Sequence, residues 1–364
     1  MKRIFAGMAA ALLAAVSFFP MRVQALSAQR AILMDAQTGR VLYEREADAR
    51  SLIASTTKIM TALVICEQCN VLDRVRIPKE AVGIEGSSMY LREGEILTVQ
   101  ELLYGLMLHS GNDAAVALAV YCGGTVEGFA GLMNDKAHKL GLTGTHFENP
   151  NGLDSPHHYS TARDLAVLAA YAMENPIFAK TVSTKTIRAG ERTLRNHNKL
   201  LWRLKGADGV KTGFTKAAGR ILVSSAVRQG RRLVAVTINA PNDWQDHCDL
   251  MEIGFHHFSV KKLISKGEIV GEVEIAGGES GIVTLIASED FYFAMADGEE
   301  ASAVYSGSGF VYAPVVKGAN AGYLHICLGD KTVGVVSLVY GDTVEQAKIK
   351  KESIWAKLFG KGDA

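Results

Sequence analysis

The chain has 364 residues, enough for two domains or for one large domain with an appendage. Its 48% hydrophobic and 21% charged residues are typical of a globular protein with a buried core. The 39 basic and 38 acidic side chains leave a formal charge of +1, so the composition indicates neither a nucleic-acid-binding protein nor an acidic disordered tail.

Residues 1–25 have the pattern of a secretory signal peptide. Lys2 and Arg3 form a short basic start, the apolar run IFAGMAAALLAAVSFF follows, and the segment ends in VQA, which suits a signal peptidase. The alternative is a retained N-terminal anchor, for which the apolar run is slightly short. No later segment is long and apolar enough to cross a membrane, so we expect an exported protein that works outside the cytoplasm.

Residues 26–260 mix strand and helix patterns. RAILMDAQTGRVLYERE predicts a hairpin, and a helical run begins near Ser55. TVQELLYGLMLHSGNDAAVALAVYCGG predicts two helices broken at residues 110–112, and the runs TVEGFAGLMNDKAHKLGL and STARDLAVLAAYAMENP predict two more, the second capped by Ser160 or Thr161. DGVKTGF and RILVSSAVRQGRRLVAVTINAP then predict strands. We expect an α+β domain in which helices cover an antiparallel sheet.

The C-terminal third of the chain changes character twice. Residues 261–342 contain short β-rich runs separated by Gly, Ser and Asp, which predicts a small all-β domain. In residues 343–364, Ile354, Trp355, Leu358 and Phe359 share one helical face and lysines lie elsewhere. This pattern predicts an amphipathic helix that anchors the protein at a membrane surface, or else a terminal helix that docks on its own domain.

The five cysteines are too few and too scattered for a disulfide framework. Cys66 and Cys69 form a CxxC pair that suggests redox or zinc chemistry. However, no second CxxC or histidine pair lies beside it, and small buried thiols are common in cores. We interpret these cysteines as packing residues. The ten histidines include the pair His157 and His158 but no HExxH pattern, so we expect no metal and no cofactor.

Ser55 and Lys58 stand three residues apart at the start of an apolar helix, in LIASTTKIMTALV. This spacing brings a hydroxyl and an amine within hydrogen-bond reach, and a buried lysine of lowered pKa can activate a serine. The motif is a weak signal by itself, since the same spacing recurs at Ser259 and Lys262.

Two further motifs bear polar groups suited to catalysis. Ser110 and Asn112 lie at a helix break, where a hydroxyl can relay protons and an amide can orient a substrate. Lys211, Thr212 and Gly213 lie in a strand-like run, where glycine leaves room for a substrate backbone. Alone, each motif also reads as an ordinary helix end or strand.

In this order, the SxxK, SxN and KTG motifs resemble those of penicillin-binding proteins and active-site serine β-lactamases. The segments SSMYLREGEILTVQELLYGLMLHSGNDAAVALA, NPNGLD, STARDLA and GVKTGFTKAAG closely resemble the serine-type D-alanyl-D-alanine carboxypeptidases, the low-molecular-mass penicillin-binding proteins. The resemblance extends over essentially the whole chain after residue 25. It implies a transpeptidase-like fold, an acyl-enzyme mechanism and no metal.

The resemblance also implies a role for each motif residue. Ser55 would be the acylated nucleophile, Lys58 its base, and Ser110 a proton relay to the leaving D-alanine.

The remaining motif residues would bind substrate. Asn112 would hold the substrate backbone, Lys211 would keep the site electropositive and Thr212 would bind the terminal carboxylate. Gly213 would admit the substrate backbone, and the N–H groups of Ser55 and Phe214 would form an oxyanion hole.

The expected partners are peptidoglycan stem peptides ending in D-Ala-D-Ala, β-lactam antibiotics as covalent inhibitors, and a membrane surface. We expect no nucleic acid as a partner.

Two positions depart from the family pattern. Phe214 stands where many members have histidine. The stretch APNDWQDHCD contains His247 and no arginine, although many members carry an arginine there for the substrate carboxylate.

Three alternatives remain open. The first is a class A-like β-lactamase, for which ENPN at Glu148 to Asn151 bears a faint likeness to the deacylation loop. The second is a D,D-endopeptidase or weak transpeptidase that uses the same acyl-enzyme. The third is a non-catalytic penicillin-binding cell-wall protein.

Overall fold

The computed structural model describes residues 26–348. The helices are α1 (Lys58–Gln68), α2 (Val99–Leu108), α3 (Asn112–Gly123), α4 (Val126–Lys139), α5 (Ala162–Ala172), α6 (Pro176–Ser183), α7 (Leu200–Arg203) and α8 (Asp243–His257). The strands are β1 (Arg30–Asp35), β2 (Val41–Arg45), β3 (Arg74–Arg76), β4 (Ile96–Thr98), β5 (Thr186–Ala189), β6 (Arg192–Arg195), β7 (Ala207–Thr215), β8 (Gly219–Arg228), β9 (Arg231–Ile238), β10 (Phe258–Ile264), β11 (Ile269–Ala276), β12 (Ile282–Ala287), β13 (Phe291–Ala296), β14 (Ser302–Ser306), β15 (Phe310–Tyr312), β16 (Asn320–Leu328) and β17 (Lys331–Tyr340).

A five-stranded antiparallel sheet in the order β2-β1-β9-β8-β7 forms the centre of the first unit. Both predicted hairpins are present in it. Gln229 and Gly230 form the β8–β9 turn with φ angles of +51° and +79°, a left-handed pair that suits a two-residue hairpin. Strand β7, which carries the KTG motif, lies at the edge of the sheet, so one side of it is free to accept another chain.

Both faces of this sheet are buried. On β9, Val234 and Val236 contribute to the core beneath the helices α1–α5, whereas Leu233 and Ala235 contribute to a second core with Leu250 of α8. This alternation follows from the two-residue period of a strand. The result is a helix–sheet–helix arrangement, which confirms the predicted sheet covered by helices.

Helices α6, α7 and α8 and strands β3, β4, β5, β6, β10 and β14 were not predicted from the sequence. Helix α8 buries Leu250 and Met251 against the sheet, but polar and charged residues occupy most of its first two turns, so its apolar period is weak. The predicted cap of α5 is Thr161, whose hydroxyl accepts a hydrogen bond of 3.0 Å from the Asp164 N–H.

The break between α2 and α3 is also present as predicted. Helix α2 ends at Leu108, Ser110 adopts a left-handed conformation with φ +64°, and α3 begins at Asn112. A non-glycine residue at positive φ is uncommon and often marks a functional position.

The C-terminal unit is all-β, as predicted. Its main sheet has six strands in the order β14-β16-β17-β12-β11-β15, and β10 pairs with β13. The predicted signal peptide lies outside the described residues, as does nearly all of the predicted terminal helix. Within residues 26–348, no helix alone meets the length and hydropathy of a membrane span; α3 and α4 do so only as a pair, with an 83° bend between them.

Candidate active site

Ser55 lies in a short 3-10 turn, Ala54–Thr57, that leads directly into α1. Ala54 has a φ of +45°, an unfavourable conformation for a residue with a Cβ atom. Gly152 packs so closely on this turn that a Cβ atom there would lie 1.9 Å from the Ala54 carbonyl oxygen. The turn is therefore held in place by the NPNGLD loop, and it leaves Ser55 half-buried at the mouth of a pocket.

Lys58 is fully buried, yet its ammonium group can donate a hydrogen bond to each of three oxygen atoms. Its Nζ lies 2.9 Å from Ser55 Oγ, 2.7 Å from Asn112 Oδ1 and 2.5 Å from the Asn151 carbonyl oxygen. The last two contacts fix the amine, and the first aims it at the Ser55 hydroxyl. By contrast, Ser259 and Lys262 share the same spacing but lie on strand β10, with Lys262 paired to Asp290.

Two buried lysines set the electrostatics of this site. Burial lowers the pKa of Lys58 well below its usual 10.5, and the charge of Lys211 lowers it further. The negative charge of Asp113 acts in the other direction and raises this pKa. Burial also lowers the pKa of Lys211 to about 7, and its Nζ donates a 2.7 Å hydrogen bond to the Thr212 carbonyl. The lowered pKa favours the neutral form of Lys58, in which an amine can accept a proton.

Asn112 joins Lys58 to the loop before β4 that contains Glu85 and Gly86. Its Nδ2 donates to the Glu85 carbonyl at 2.6 Å, and a Cβ atom on Gly86 would approach this nitrogen to 2.8 Å. The next residue, Asp113, accepts hydrogen bonds from the N–H groups of Met89 and Leu91 at 3.0 and 3.1 Å. Asp113 was not a candidate in the sequence analysis, but its one carboxylate fixes the rim of the pocket.

Strand β7 lies directly against the Ser55 turn. A Cβ atom on Gly213 would stand 3.2 Å from the Ile53 carbonyl oxygen and 3.3 Å from the Ser55 nitrogen. From the sequence, this glycine was expected to leave room for substrate; in the structure, its missing side chain also lets the strand lie close to the Ser55 turn without crowding it. Phe214 follows with its side chain 64% exposed.

The structure brings all the predicted motif residues together. The pocket has a volume of about 320 Å³. Five of the predicted residues line it (Ser55, Ser110, Thr212, Gly213 and Phe214), while Lys58, Asn112 and Lys211 lie behind this surface.

The same pocket contains an arginine that the sequence analysis did not predict. Arg220 lies opposite Phe214 in the β7–β8 pairing, and its Nη2 donates to both Asp243 carboxylate oxygens at 2.8 and 2.9 Å. Its Nε is buried without a hydrogen-bond partner among the described residues. The stretch around His247 contains no arginine, and the guanidinium in this pocket comes from β8 instead.

His247 does not face the pocket. It is fully buried between α8 and the sheet, where its two ring nitrogens contact Ser224 Oγ at 2.6 Å and Thr237 Oγ1 at 2.9 Å. Burial lowers its pKa to about 3, so the ring is neutral and serves packing.

The family assignment follows from comparison with known proteins. A family model described as D-alanyl-D-alanine carboxypeptidase, Peptidase S11, matches residues 18–242. The chain belongs to this family. A second model, the C-terminal domain of penicillin-binding protein 5, matches residues 258–346 of this carboxypeptidase.

Individual relatives agree with this assignment. D-alanyl-D-alanine carboxypeptidase DacF from Bacillus subtilis is 34% identical over 313 residues, which cover 82% of this chain and 80% of the relative. The crystal structure of penicillin binding protein 5 from Haemophilus influenzae superposes with a TM-score of 0.77 at 31% identity, covering 88% of this chain and 98% of that one. A DD-transpeptidase mutant from Streptomyces matches 63% of this chain and 98% of its own, with a TM-score of 0.61 and 38% identity.

The carboxypeptidase is therefore a penicillin-binding serine hydrolase of the cell wall, with peptidoglycan D-Ala-D-Ala peptides as its substrate class. Members of this family work in the periplasm or outside the cytoplasm.

The loop that resembled a β-lactamase element has a different role in this carboxypeptidase. Glu148 contacts the Ser155 hydroxyl and accepts a 3.2 Å hydrogen bond from the His157 N–H. Among the described residues, the only carboxylate lining the pocket is Asp243, and it is paired with Arg220. No glutamate there is placed to activate a deacylating water as in a class A β-lactamase.

His158 and the cysteine pair near the Ser55 helix are structural. His158 is buried, and its Nε2 lies 2.7 Å from Thr57 Oγ1, so it braces the Ser55 turn from behind. Cys66 and Cys69, at the far end of α1, are half-buried and pack against the main core, as the sequence analysis predicted.

Proposed function

We propose that Ser55 is the nucleophile of this D-alanyl-D-alanine carboxypeptidase and that Lys58 is its general base. The observation that carries this assignment is the 2.9 Å contact between Lys58 Nζ and Ser55 Oγ, with the amine fully buried. A neutral Lys58 takes the hydroxyl proton as Ser55 attacks the carbonyl carbon of the penultimate D-alanine.

Ser110 acts on the leaving nitrogen of the scissile bond, and Asn112 binds the substrate backbone. Ser110 lies at the left-handed break between α2 and α3, where its hydroxyl can pass the proton from Lys58 to the nitrogen of the leaving D-alanine. Asn112 orients the substrate backbone and holds the Lys58 amine at 2.7 Å.

The KTG strand binds the substrate backbone and the terminal carboxylate. Thr212 donates its hydroxyl to that carboxylate, and Lys211 supplies positive charge beneath it. A carboxylate that enters beside Lys211 favours the protonated amine, so substrate binding raises the pKa of Lys211 above 7. The N–H groups of Ser55 and Phe214 form the oxyanion hole, an arrangement supported by the close packing of Gly213 against the Ser55 nitrogen.

Arg220 completes the carboxylate site. Asp243 holds one end of the guanidinium, and the half-exposed remainder lines the same pocket as Thr212. A guanidinium fixed in this way can pair with a carboxylate through two parallel hydrogen bonds. Water then hydrolyses the acyl-enzyme, and Ser55 regains its proton.

Acylation by a labelled penicillin tests the nucleophile. Wild type should gain the mass of one penicillin on the peptide that contains Ser55, and Ser55→Ala should gain none. Ser259→Ala is the matched control, since it removes the serine of the second SxxK spacing and should label as wild type. An adduct of undiminished yield on Ser55→Ala contradicts the assignment, and so does a wild type that never labels. A labelled wild type that releases no D-alanine would instead support the non-catalytic penicillin-binding alternative.

We also propose the predicted domain limits, with residues 1–25 as an export signal, 26–260 as the catalytic domain, 261–342 as the all-β domain and 343–364 as a peripheral membrane anchor. The basic amphipathic pattern of the last segment supports the anchor. A chain ending at residue 348, which keeps the buried Val344 of the all-β core, should leave the membrane fraction while retaining penicillin labelling. Unchanged membrane recovery of that truncated chain contradicts the anchor.

A further inference from the structure

Two thiols from separate helices lie side by side at the end of α1 that is remote from Ser55. Cys69 ends α1, where its N–H donates to the Ile65 carbonyl at 3.0 Å, and Cys122 lies in the last turn of α3. The two residues are far apart in the sequence, yet their thiols are within hydrogen-bonding range of each other. Both are free and half-buried, so a small reagent can reach them from solvent.

The backbone around these thiols is held by neighbouring contacts. Tyr121, next to Cys122, donates its hydroxyl to the Asp73 carboxylate at 2.8 Å, which ties the end of α3 to the segment between α1 and β3. Gly123 packs so closely on α4 that a Cβ atom there would lie 2.5 Å from the Phe129 nitrogen. The two helix ends are thus held together, which is the arrangement that a bond between the two sulfur atoms requires.

The two thiols differ in reactivity. The hydrogen bond with Cys69 lowers the pKa of Cys122 to about 7, although burial acts in the other direction. The same hydrogen bond raises the pKa of Cys69, as do burial and the negative charge of Asp73. Burial raises the pKa of Cys66 to about 12, so this third thiol stays protonated. Since the thiolate is the nucleophile in disulfide exchange, Cys122 is the thiol that attacks first.

We propose that Cys69 and Cys122 form a disulfide bond outside the cytoplasm by exchange with a small-molecule disulfide. The Cys122 thiolate attacks the donor disulfide and releases one donor thiolate, which takes the proton of the Cys69 thiol. The Cys69 sulfur then attacks the Cys122 sulfur and releases the second donor thiolate, which takes a proton from water in place of the one that Cys122 gave up. Two thiols are thereby oxidised by two electrons, and the donor disulfide is reduced to two thiols.

This bond joins the two helices that carry Lys58 and Asn112. Helix α1 begins with Lys58 and α3 with Asn112, and the loop closed by the bond contains α2 and the SxN motif. Closing so long a loop restricts the unfolded chain and stabilises the folded domain. The family works outside the cytoplasm, where disulfides persist. Because the bond lies at the opposite ends of both helices, it does not depend on the proposed roles of Lys58 and Asn112.

Peptide mapping of the full chain tests the bond. Wild type is incubated with oxidised glutathione, free thiols are alkylated, and peptides are identified by mass spectrometry without reduction. The test variants are Cys69→Ser and Cys122→Ser. The matched control is Cys66→Ala, which removes the other thiol of the CxxC pair. The Tm of oxidised and of dithiothreitol-reduced protein is measured in parallel.

We expect a peptide cross-linked through Cys69 and Cys122 in wild type and in Cys66→Ala. Oxidised wild type should have a Tm about 4–10 °C above that of the reduced protein. Cys69→Ser should accumulate glutathione on Cys122, whereas Cys122→Ser should react at Cys69 at least about tenfold more slowly, because that thiol remains protonated.

Three mapping results overturn the proposal. They are thiols that all stay free in wild type, a bond between Cys66 and Cys69 instead, and a lasting glutathione adduct on Cys122 of wild type. A cross-link between Cys69 and Cys122 that changes Tm by less than about 1 °C overturns the stabilising role of the bond.

Discussion

Replacing Lys211 with methionine is expected to stabilise the protein at pH 7 while lowering kcat/KM by at least about 10²-fold. Lys211 is 2% exposed, and burial lowers its pKa from 10.5 to about 7. Between these two values the unfolded chain binds more protons than the folded one, so the cost of burying Lys211 falls as the pH rises.

The magnitude follows from the two pKa values. A shift of this size corresponds to a burial cost of about 4 kcal/mol at pH 7, which vanishes near pH 10.5. Methionine has similar length and no charge, but it cannot donate to the Thr212 carbonyl, a loss of about 1 kcal/mol. Lys211→Met should therefore be more stable than wild type by about 3 kcal/mol at pH 7 and slightly less stable near pH 10.5.

Urea unfolding at the two pH values measures this difference. Lys216→Met is the matched control because Lys216 is exposed, and its stability should follow wild type at both pH values. The reasoning is refuted if the stability difference between Lys211→Met and wild type is the same at pH 7 and pH 10.5.

Gly213→Ala should slow penicillin acylation by about 10- to 100-fold with little change in Tm, because the new Cβ pushes on the Ser55 backbone; unchanged acylation would refute this. Thr57→Val should lower the free energy of unfolding by about 1–3 kcal/mol, since buried His158 loses its 2.7 Å partner; a loss below about 0.5 kcal/mol in urea unfolding would contradict it. Arg220→Gln should raise KM for the pentapeptide by about tenfold and leave kcat within about threefold, and an effect on kcat alone would exclude the carboxylate role.

Much of the fold was predictable because its elements carry local signals. Residues that are close together in sequence determine the hairpin turns, the break at Ser110 and the cap at Thr161. Helix α8 was not predictable in this way. Its buried residues Leu250 and Met251 follow a mostly polar stretch, and the sheet face that they cover is assembled from distant strands.

The same distinction applies to the candidate site: residues in short motifs could be predicted, whereas groups brought in by strand pairing or by the backbone could not. The three motifs are weak signals when taken singly, and their residues were identified because the motifs occur together in the order found in penicillin-binding proteins. Arg220 lies opposite Phe214 only through strand pairing, and the Asn151 carbonyl reaches Lys58 across 93 positions. Backbone carbonyls carry no sequence signal. The only available sign of Arg220 in the sequence was its position a few residues after the KTG motif, in AAGRILV.

The central claim is that Ser55, activated by Lys58, cleaves D-Ala-D-Ala peptides. Release of D-alanine from a pentapeptide ending in D-Ala-D-Ala, measured for wild type, Ser55→Ala and Ser259→Ala, tests it most directly. Wild type and Ser259→Ala should release one D-alanine per peptide at equal rates, and Ser55→Ala should release none. D-alanine release by Ser55→Ala at the wild-type rate, or no release by wild type, would contradict the claim.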